Sequence, residues 1–165
     1  MNRYLVIVIM VVLQLAATRV FAAANDVVVA LHAFKVVAGA GGQKLVPTTE
    51  ALPGDTIEYQ VTYRNAGAGA ARDVLATLPV PQGGMHYLPG SASPGEFQAS
   101  LDGAHFAPAP LTRTVVRDGR RQVETVPPSE YRFLRWKLGE LAPGRSVTVS
   151  SRMRLDDAPV TTNRS

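Results

Sequence analysis

One stretch decides the fold class of this chain: Pro53-Gly54-Asp55-Thr56-Ile57-Glu58-Tyr59-Gln60-Val61-Thr62-Tyr63-Arg64-Asn65. A Pro-Gly-Asp turn opens it, and apolar residues then alternate with polar residues as far as Arg64. Alternation with a period of two is typical of a β-strand that has one buried face and one face toward water. The sequence therefore predicts a strand here, with its buried face formed by Ile57, Tyr59, Val61 and Tyr63.

Similar segments occur along most of the chain after residue 24. Strands are predicted over 27–37, 73–78, 134–138 and 147–155, and turns rich in glycine or proline separate them. No segment in this part of the sequence has a convincing helical period. Roughly 8 to 10 short strands with turn signals about every 8 to 12 residues are typical of a sandwich. We therefore expect an all-β fold, an immunoglobulin-like antiparallel β-sandwich, formed as one domain by a chain of 165 residues.

Two Asp-Gly pairs predict hairpins, because this dipeptide suits a two-residue type I′ turn. At Asp102-Gly103, the expected register places residue 99 opposite 106 and aligns one apolar face: Phe97, Ala99, Leu101, Ala104 and Phe106. At Asp118-Gly119, the flanking segments mix valine with arginine on both faces. This second hairpin is therefore expected to be an exposed arm, inserted in the domain at about 109–128.

The first 24 residues are typical of a secretory signal peptide. Arg3 precedes an apolar run over 4–13, and small residues follow at Ala22, Ala23 and Ala24. This order of a positively charged N-terminus, a short apolar helix and small residues at a cleavage site indicates a signal peptide. A membrane-spanning helix needs about 20 apolar residues, which is more than this segment offers. We expect cleavage after Ala24, or alternatively after Ala22. The protein is then exported to the periplasm, the cell surface or the medium, with no stable membrane span.

Cleavage before Asn25 leaves a domain over 25–156 and a flexible tail over 157–165. It removes Arg3 and Arg19, so 15 of the 17 lysines and arginines remain against 13 acidic residues. The mature chain is thus weakly basic, and nucleic acid is not an expected partner for an exported protein. The absence of cysteine excludes disulfides, thiolate zinc sites, cysteine nucleophiles and a lipidated cysteine.

No residue pattern in the sequence indicates catalysis. His32, His86 and His105 lie far apart in the chain and belong to no metal-binding spacing such as HExxH. The serines lack the GxSxG elbow of many hydrolases. We therefore expect a protein that is not an enzyme, with no catalytic residue, no metal ligand and no cofactor.

Two ligand-binding alternatives remain open. A calcium ion at one end of a sandwich would need several carboxylates, and the candidates are Asp26, Asp55, Asp73 and Asp102. Sugar rings stack on exposed aromatic faces, and the candidates for such a platform are Trp136, Tyr59 and Tyr63. Because these aromatic residues alternate with polar ones, core positions are favoured for them instead.

The main candidate for a binding surface is rich in arginine. Residues 113–137 carry seven positive charges and three negative ones. On the second hairpin, Arg117 and Arg120 are expected to lie directly opposite each other, and like charges in such a pair are destabilising. A negatively charged partner would relieve this repulsion. The sequence therefore predicts that an acidic envelope or surface protein, or an anionic envelope polymer, binds Arg117, Arg120 and Arg121.

Short motifs follow one another along the chain: Pro53-Gly54-Asp55-Thr56-Ile57-Glu58-Tyr59, Tyr63-Arg64-Asn65-Ala66-Gly67, Thr77-Leu78-Pro79, Tyr87-Leu88-Pro89-Gly90-Ser91-Ala92, Trp136-Lys137-Leu138-Gly139 and Leu141-Ala142-Pro143-Gly144-Arg145-Ser146. In this order, over about residues 27–156, they resemble the bacterial conserved repeat domain, also called domain of unknown function eleven. The resemblance implies an immunoglobulin-like sandwich in a secreted or cell-surface protein, without an established catalytic role.

These observations together predict an exported, non-enzymatic structural or binding module of the bacterial cell envelope or surface. Such a module acts through contacts with proteins or with envelope polymers. A calcium- or carbohydrate-binding accessory domain is the first alternative. An accessory domain of an unrecognised periplasmic hydrolase is the second, and a cluster of titratable side chains in one pocket would favour it.

The predicted processing can be tested by mass. Intact-mass measurement of the exported protein is expected to give a chain that begins at Asn25, or at Ala23 for the alternative cut, because small residues precede both positions. A full-length chain in the membrane fraction would contradict the signal-peptide interpretation.

Overall fold

A computed structural model describes residues 27–157 of the chain. The predicted signal peptide and, apart from Asp157, the predicted tail lie outside the described residues. A 3₁₀ turn, Pro128–Glu130, precedes the tenth strand. The strands are β1 Val27–Gly39, β2 Gly42–Pro47, β3 Thr56–Asn65, β4 Ala71–Pro79, β5 Met85–Tyr87, β6 Gln98–Ser100, β7 Ala107–Pro108, β8 Thr112–Arg117, β9 Arg120–Thr125, β10 Phe133–Leu141 and β11 Ser146–Leu155.

Two antiparallel sheets form the body of the molecule. One has five strands in the order β2-β1-β3-β11-β5, and the other has four in the order β4-β10-β6-β7. Strands β8 and β9 form a separate two-stranded sheet. The predicted all-β antiparallel sandwich is confirmed, with nine strands in its two layers. Among residues 27–157, no helix is long and apolar enough to cross a membrane.

Strand β3 lies in the middle of the five-stranded sheet, between β1 and β11. Its apolar positions are placed as the alternation predicts, since Val61 and Tyr63 are buried. On the opposite face Glu58 is also largely buried. Its Oε2 accepts a hydrogen bond from Arg152 Nε at 2.8 Å, and its Oε1 accepts one from Gln60 Nε2 at 2.7 Å. Hydrogen-bonded side chains therefore cover this part of the polar face.

The core between the sheets is built around Trp136 of β10, which is only 2% exposed. Its indole Nε1 donates a hydrogen bond to the Pro94 carbonyl oxygen at 2.8 Å, so the polar atom of the ring is satisfied. Three more rings continue from it. The centroid distances are 6.0 Å from Trp136 to Phe97, 5.6 Å from Phe97 to Tyr87 and 6.1 Å from Tyr87 to Tyr131. This aromatic row contains residues from both sheets, because Tyr87 belongs to β5 and Trp136 to β10.

Asn65 joins the end of β3 to two neighbouring segments. Its side chain is buried, and Nδ2 donates hydrogen bonds to Gly69 O and Leu141 O, each at 2.7 Å. Its Oδ1 accepts a hydrogen bond from Gly67 N at 2.9 Å, and its backbone N–H donates to Arg145 O at 2.9 Å. A residue that reads in the sequence as a simple break therefore links β3, the loop after it and the end of β10.

The predicted hairpin at Asp102-Gly103 is present as the antiparallel pair of β6 and β7, but its predicted two-residue turn and its register are wrong. Ala99 pairs with Ala107, one residue beyond the predicted partner, and a loop over 101–106 replaces the two-residue turn. The cause is the Asp102 side chain, whose Oδ1 accepts hydrogen bonds from the backbone N–H groups of the two residues after Gly103, both at 2.8 Å. An aspartate that binds its own loop in this way competes with the ladder bonds of a tight hairpin. As a result Leu101 is exposed.

Trp136→Ala is expected to lower the free energy of unfolding by about 3 to 5 kcal/mol, because it leaves a cavity between the sheets. Urea unfolding followed by far-UV circular dichroism measures the change, and Trp136→Phe, which keeps an aromatic ring, is expected to cost less. Since the chain has one tryptophan, its fluorescence reports this site alone. The folded protein is expected to emit at shorter wavelength than the unfolded one, and water-like emission from the folded state would contradict the buried position.

Candidate functional site: the arginine-rich arm

The candidate site is the two-stranded sheet formed by β8 and β9, which we call the arm. Its turn is Asp118-Gly119, and these residues have φ values of 50° and 72°. A type I′ turn requires positive φ at both central positions. Arg117 lies directly opposite Arg120, and Val116 lies opposite Arg121. The predicted second hairpin is therefore present, with the predicted pair of opposed arginines.

The two faces of the arm differ in chemistry, because residues opposite each other in a ladder share a face. One face, the charged face, carries Arg113, Arg117, Arg120 and Glu124. The other carries Arg121 and two valines that are largely exposed, Val116 at 68% and Val123 at 72%. The predicted binding residues thus do not form one patch, since Arg121 lies on the face opposite the other two.

Ion pairs order the charged face. Arg113 donates hydrogen bonds from Nε to Glu124 Oε1 and from Nη1 to Glu130 Oε2, each at 2.7 Å. Arg117 Nη2 donates to the second Glu124 oxygen at 2.9 Å. The Glu124 carboxylate is therefore shared by two guanidinium groups. The hydrogen bond from Arg113 is the main reason that the pKa of Glu124 lies below its ordinary value.

Arg120 and Arg121, at the tip of the arm, are exposed. Neither forms an ion pair with another residue of the part of the chain that the structure describes. The repulsion predicted between Arg117 and Arg120 is thus only partly offset, because Glu124 pairs with Arg117 and not with Arg120. The tip thus carries two cations that no carboxylate among residues 27–157 neutralises in an ion pair.

The base of the arm is fixed in the core. Leu111 and Val126 flank the hairpin and are buried, and Val126 N donates a hydrogen bond to Leu111 O at 2.8 Å. Leu111 N in turn donates to the Tyr131 hydroxyl at 3.0 Å. Tyr131 is the last ring of the aromatic row, so the arm is attached to the core at its base. Its strands pair with no other strand between residues 27 and 157, and the tip is left exposed.

Sequence reasoning missed the two glutamates and the tyrosine that organise the arm. A signal for one of them was present, because the Asp118-Gly119 register places Arg113 opposite Glu124. The contact of Arg113 with Glu130 depends on the 3₁₀ turn after β9, and the bond from Leu111 to Tyr131 depends on the core. No pattern in the sequence predicts these two contacts.

The aspartates considered for calcium have other roles. Asp55 pairs with Lys35 at 2.8 Å, and Asp102 binds its own loop. Asp73 lies on β4, and Asp26 lies outside the described residues. In the part of the chain that the structure describes, no group of three or more histidine, aspartate or glutamate side chains is placed to hold a metal ion.

The histidines and the sugar-platform aromatics are also dispersed. His86 Nδ1 lies 2.9 Å from Asp156 Oδ1, and His105 Nδ1 lies 2.7 Å from Asp102 Oδ2 within the 101–106 loop. His32 lies on β1 and is exposed. Tyr63 and Trp136 are buried in the core and Tyr59 is half-buried, so these three rings do not form the exposed platform that sugar stacking requires.

A shallow groove of about 260 Å³ lies between the base of the arm and the 101–106 loop. Asp102 and His105 line it from the loop, and Arg113 lines it from the arm. The remaining lining is mainly apolar and includes Phe106 and Val126. Small-molecule pockets usually enclose about 300 to 1,000 Å³, so this open groove is below that range. The geometry suits a surface contact better than an enclosed ligand.

In comparisons with protein-family models, curated protein sequences and solved structures, the chain matches none of them. The resemblance to the conserved repeat domain therefore stays a prediction from the sequence motifs.

The shared carboxylate makes the order of the arm sensitive to pH. Because the pKa of Glu124 is lowered from 4.5 in the folded chain, its contribution to stability is present above about pH 4.5 and is lost as pH falls through the lowered pKa. NMR relaxation of the amides at the tip is expected to show greater motion as the pH falls through this range. Glu124→Gln is expected to show that motion already at neutral pH.

Asp118→Asn serves as the control, because it removes a negative charge from the same hairpin without touching an ion pair of residues 27–157. It is expected to leave tip motion at neutral pH unchanged. Equal motion in Glu124→Gln and the unsubstituted protein would show that the shared carboxylate does not order the arm.

Proposed function

We propose that this protein is an exported, non-enzymatic module of the bacterial cell envelope or surface, and that the arm binds an acidic partner. The observation that carries the proposal is the tip of the arm, where Arg120 and Arg121 are exposed on a hairpin whose base is fixed in the core. A fixed base reduces the conformational entropy that is lost when a partner binds. Guanidinium groups suit such a role, because they bind carboxylate and phosphate with two parallel hydrogen bonds.

The charged face is the main contact surface in this proposal. Arg120 offers an unpaired cation there, and Arg117 adds part of a second one, since it shares Glu124 with Arg113. A negative group placed between Arg117 and Arg120 would offset the repulsion that the hairpin imposes on them. The opposite face, with Arg121 beside Val116, offers a more apolar contact.

Export rests on the predicted signal peptide, and the partner is therefore sought in the envelope: an acidic protein surface or an anionic polymer. The mature chain carries only a small net positive charge by its sequence, so attraction is expected to be local to the arm. Interactions between exposed charges are screened over about 8 Å at physiological ionic strength. Binding through the arm is therefore expected to weaken as salt rises.

Arg120→Ser is expected to lower the yield of cross-linked adducts in washed cell envelopes at low salt severalfold, because it removes the unpaired cation of the charged face. Arg121→Ser is expected to have a smaller effect, and the substitution of Arg117, Arg120 and Arg121 together a larger one. The measurement compares adduct yields at low and high salt. Protease digestion of the adducts then distinguishes a protein partner from a polymer.

The matched control is a variant with Arg64→Ser and Arg145→Ser. Both arginines are exposed, and neither belongs to the arm or to an ion pair among the described residues. This variant removes two positive charges, one more than Arg120→Ser and one fewer than the triple substitution. If it reduced the yield as strongly as the tip variants do, the effect would belong to overall charge and the arm would lose its proposed role.

A further inference from the structure

A second surface lies on strand β1, away from the arm. Strand β2 pairs with β1 only over Phe34 to Gly39, whereas β3 pairs with β1 from Val27 onward. One edge of β1 over residues 27–32 therefore has no neighbouring strand among residues 27–157. We call this segment the open edge.

Backbone groups at the open edge point outward in a defined pattern. Ala33 O accepts a hydrogen bond from Thr48 N at 3.0 Å, so the backbone groups of Ala33 point toward the side on which β2 lies. Directions alternate along a strand, and the N–H and C=O groups of Val27, Val29 and Leu31 therefore point to the same side. At these three residues that side is the open edge, where no strand among residues 27–157 pairs with their backbone groups.

Apolar side chains accompany these outward-pointing backbone groups. Val28, Val29 and Leu31 are exposed by 56%, 52% and 52%. Val29 and Leu31 lie opposite Tyr63 and Val61 of β3, whose side chains are buried in the core, so all four share the inner face of the sheet. The inner face of β1 is thus left half-uncovered at the side of the sandwich. A further strand beside β1 would cover both the backbone groups and these side chains.

The other sheet edges are short or blocked. Strands β5 and β7 have three and two residues, and β7 ends in Pro108. Strand β2 carries Lys44 and Pro47, and β4 carries Arg72 and Asp73. Natural sheets use short strands, charges and prolines to prevent pairing between edges. The open edge reads Val-Val-Val-Ala-Leu-His and has none of these devices.

We propose that the open edge pairs with the open edge of a second copy of this chain, antiparallel and about a twofold axis at Val29. This register sets Val29 opposite Val29 of the partner subunit and Val27 opposite Leu31, twice, so the outward-pointing backbone groups meet in hydrogen-bonded pairs. These pairs lie over residues 27–31, clear of Ala33, whose carbonyl oxygen accepts a hydrogen bond from Thr48 N. On the inner face the same pairs place apolar side chains against each other. The two five-stranded sheets then continue into one sheet across the interface.

A second copy fits this edge on grounds of charge. Residues 27–32 contain no lysine, arginine, aspartate or glutamate, so two copies approach without repulsion, and no charge is left buried when they pair. An acidic partner of the kind proposed for the arm finds no cation here. The self-association is thus independent of the proposed function of the arm and is expected to change little with salt.

A cysteine at position 29 tests the register. The chain has no cysteine of its own, so Val29→Cys in the exported protein introduces a single thiol. In the proposed pair the two Cα atoms at position 29 face each other at about 5.5 Å, within the range of about 4.4 to 6.8 Å for disulfides. A disulfide-linked dimer is expected under mild oxidation. Leu31→Cys is the control, because position 31 faces position 27 of the partner and its own counterpart lies about 13 Å away along the strand.

Sedimentation velocity over a wide concentration range tests the association itself. Leu31→Lys places a charge at the open edge and is expected to weaken the dimer by roughly tenfold or more. Leu75→Lys is the matched control, since Leu75 is similarly exposed, at 47%, but lies on β4. It is expected to leave the dimer unchanged, and removal of residues 158–165 is expected to do the same.

Several results would overturn the proposal. One such result is a chain that stays monomeric at every concentration. Another is a dimer that Leu31→Lys and Leu75→Lys weaken equally. Loss of association on removal of residues 158–165 would assign the edge to the tail of the chain. Cross-linking of Val29→Cys in envelopes to a different protein, with no homodimer, would assign the edge to that protein. The Arg120→Ser variant is expected to keep the dimer, so failure of one proposal leaves the other standing.

Discussion

The contact on which most of the structure depends is the aromatic row. Trp136, Phe97, Tyr87 and Tyr131 come from distant parts of the chain, and neighbouring rings in the row lie tilted, edge-on or stacked across the space between the sheets. Aromatic side chains bury more apolar area than other residues, so this row supplies much of the packing between the layers. Because Tyr131 also receives the hydrogen bond from Leu111, the same contact sets the position of the arm.

Around this core, arginine is organised by glutamate in two places. Glu58 accepts hydrogen bonds from Arg152 and Gln60 on the outer face of the five-stranded sheet, and Glu124 is shared by two arginines of the arm. For Glu58, the hydrogen-bonded pair offsets the cost of burying a carboxylate. For Glu124, the shared ion pairs order an exposed hairpin. The molecule thus presents two surfaces of opposite character. The arm is charged and sensitive to salt, whereas the open edge of β1 is uncharged and relies on backbone hydrogen bonds.

The sequence by itself determined the fold class and most of the strands. The alternation over 57–64 marks β3, and the Pro53-Gly54-Asp55 and Ala142-Pro143-Gly144-Arg145 turns mark the strands that begin after them. These signals are local, since a period of two and a turn depend on residues close together in the chain. The opposition of Arg117 and Arg120 was predictable for the same reason, because the Asp118-Gly119 turn alone fixes the register of the arm.

The tertiary structure alone decided the rest. The same Asp-Gly signal marks a hairpin at Asp102 but gives the wrong register there, because the Asp102 carboxylate binds its own loop. Asn65 becomes a buried connection only when Leu141 arrives from a strand far along the chain. Leu31 is exposed at a part of β1 that lies beyond the pairing with β2, which covers only Phe34 to Gly39. Contacts between distant segments leave no periodic pattern, so local sequence signals established the strands, and packing established which surfaces are left for partners.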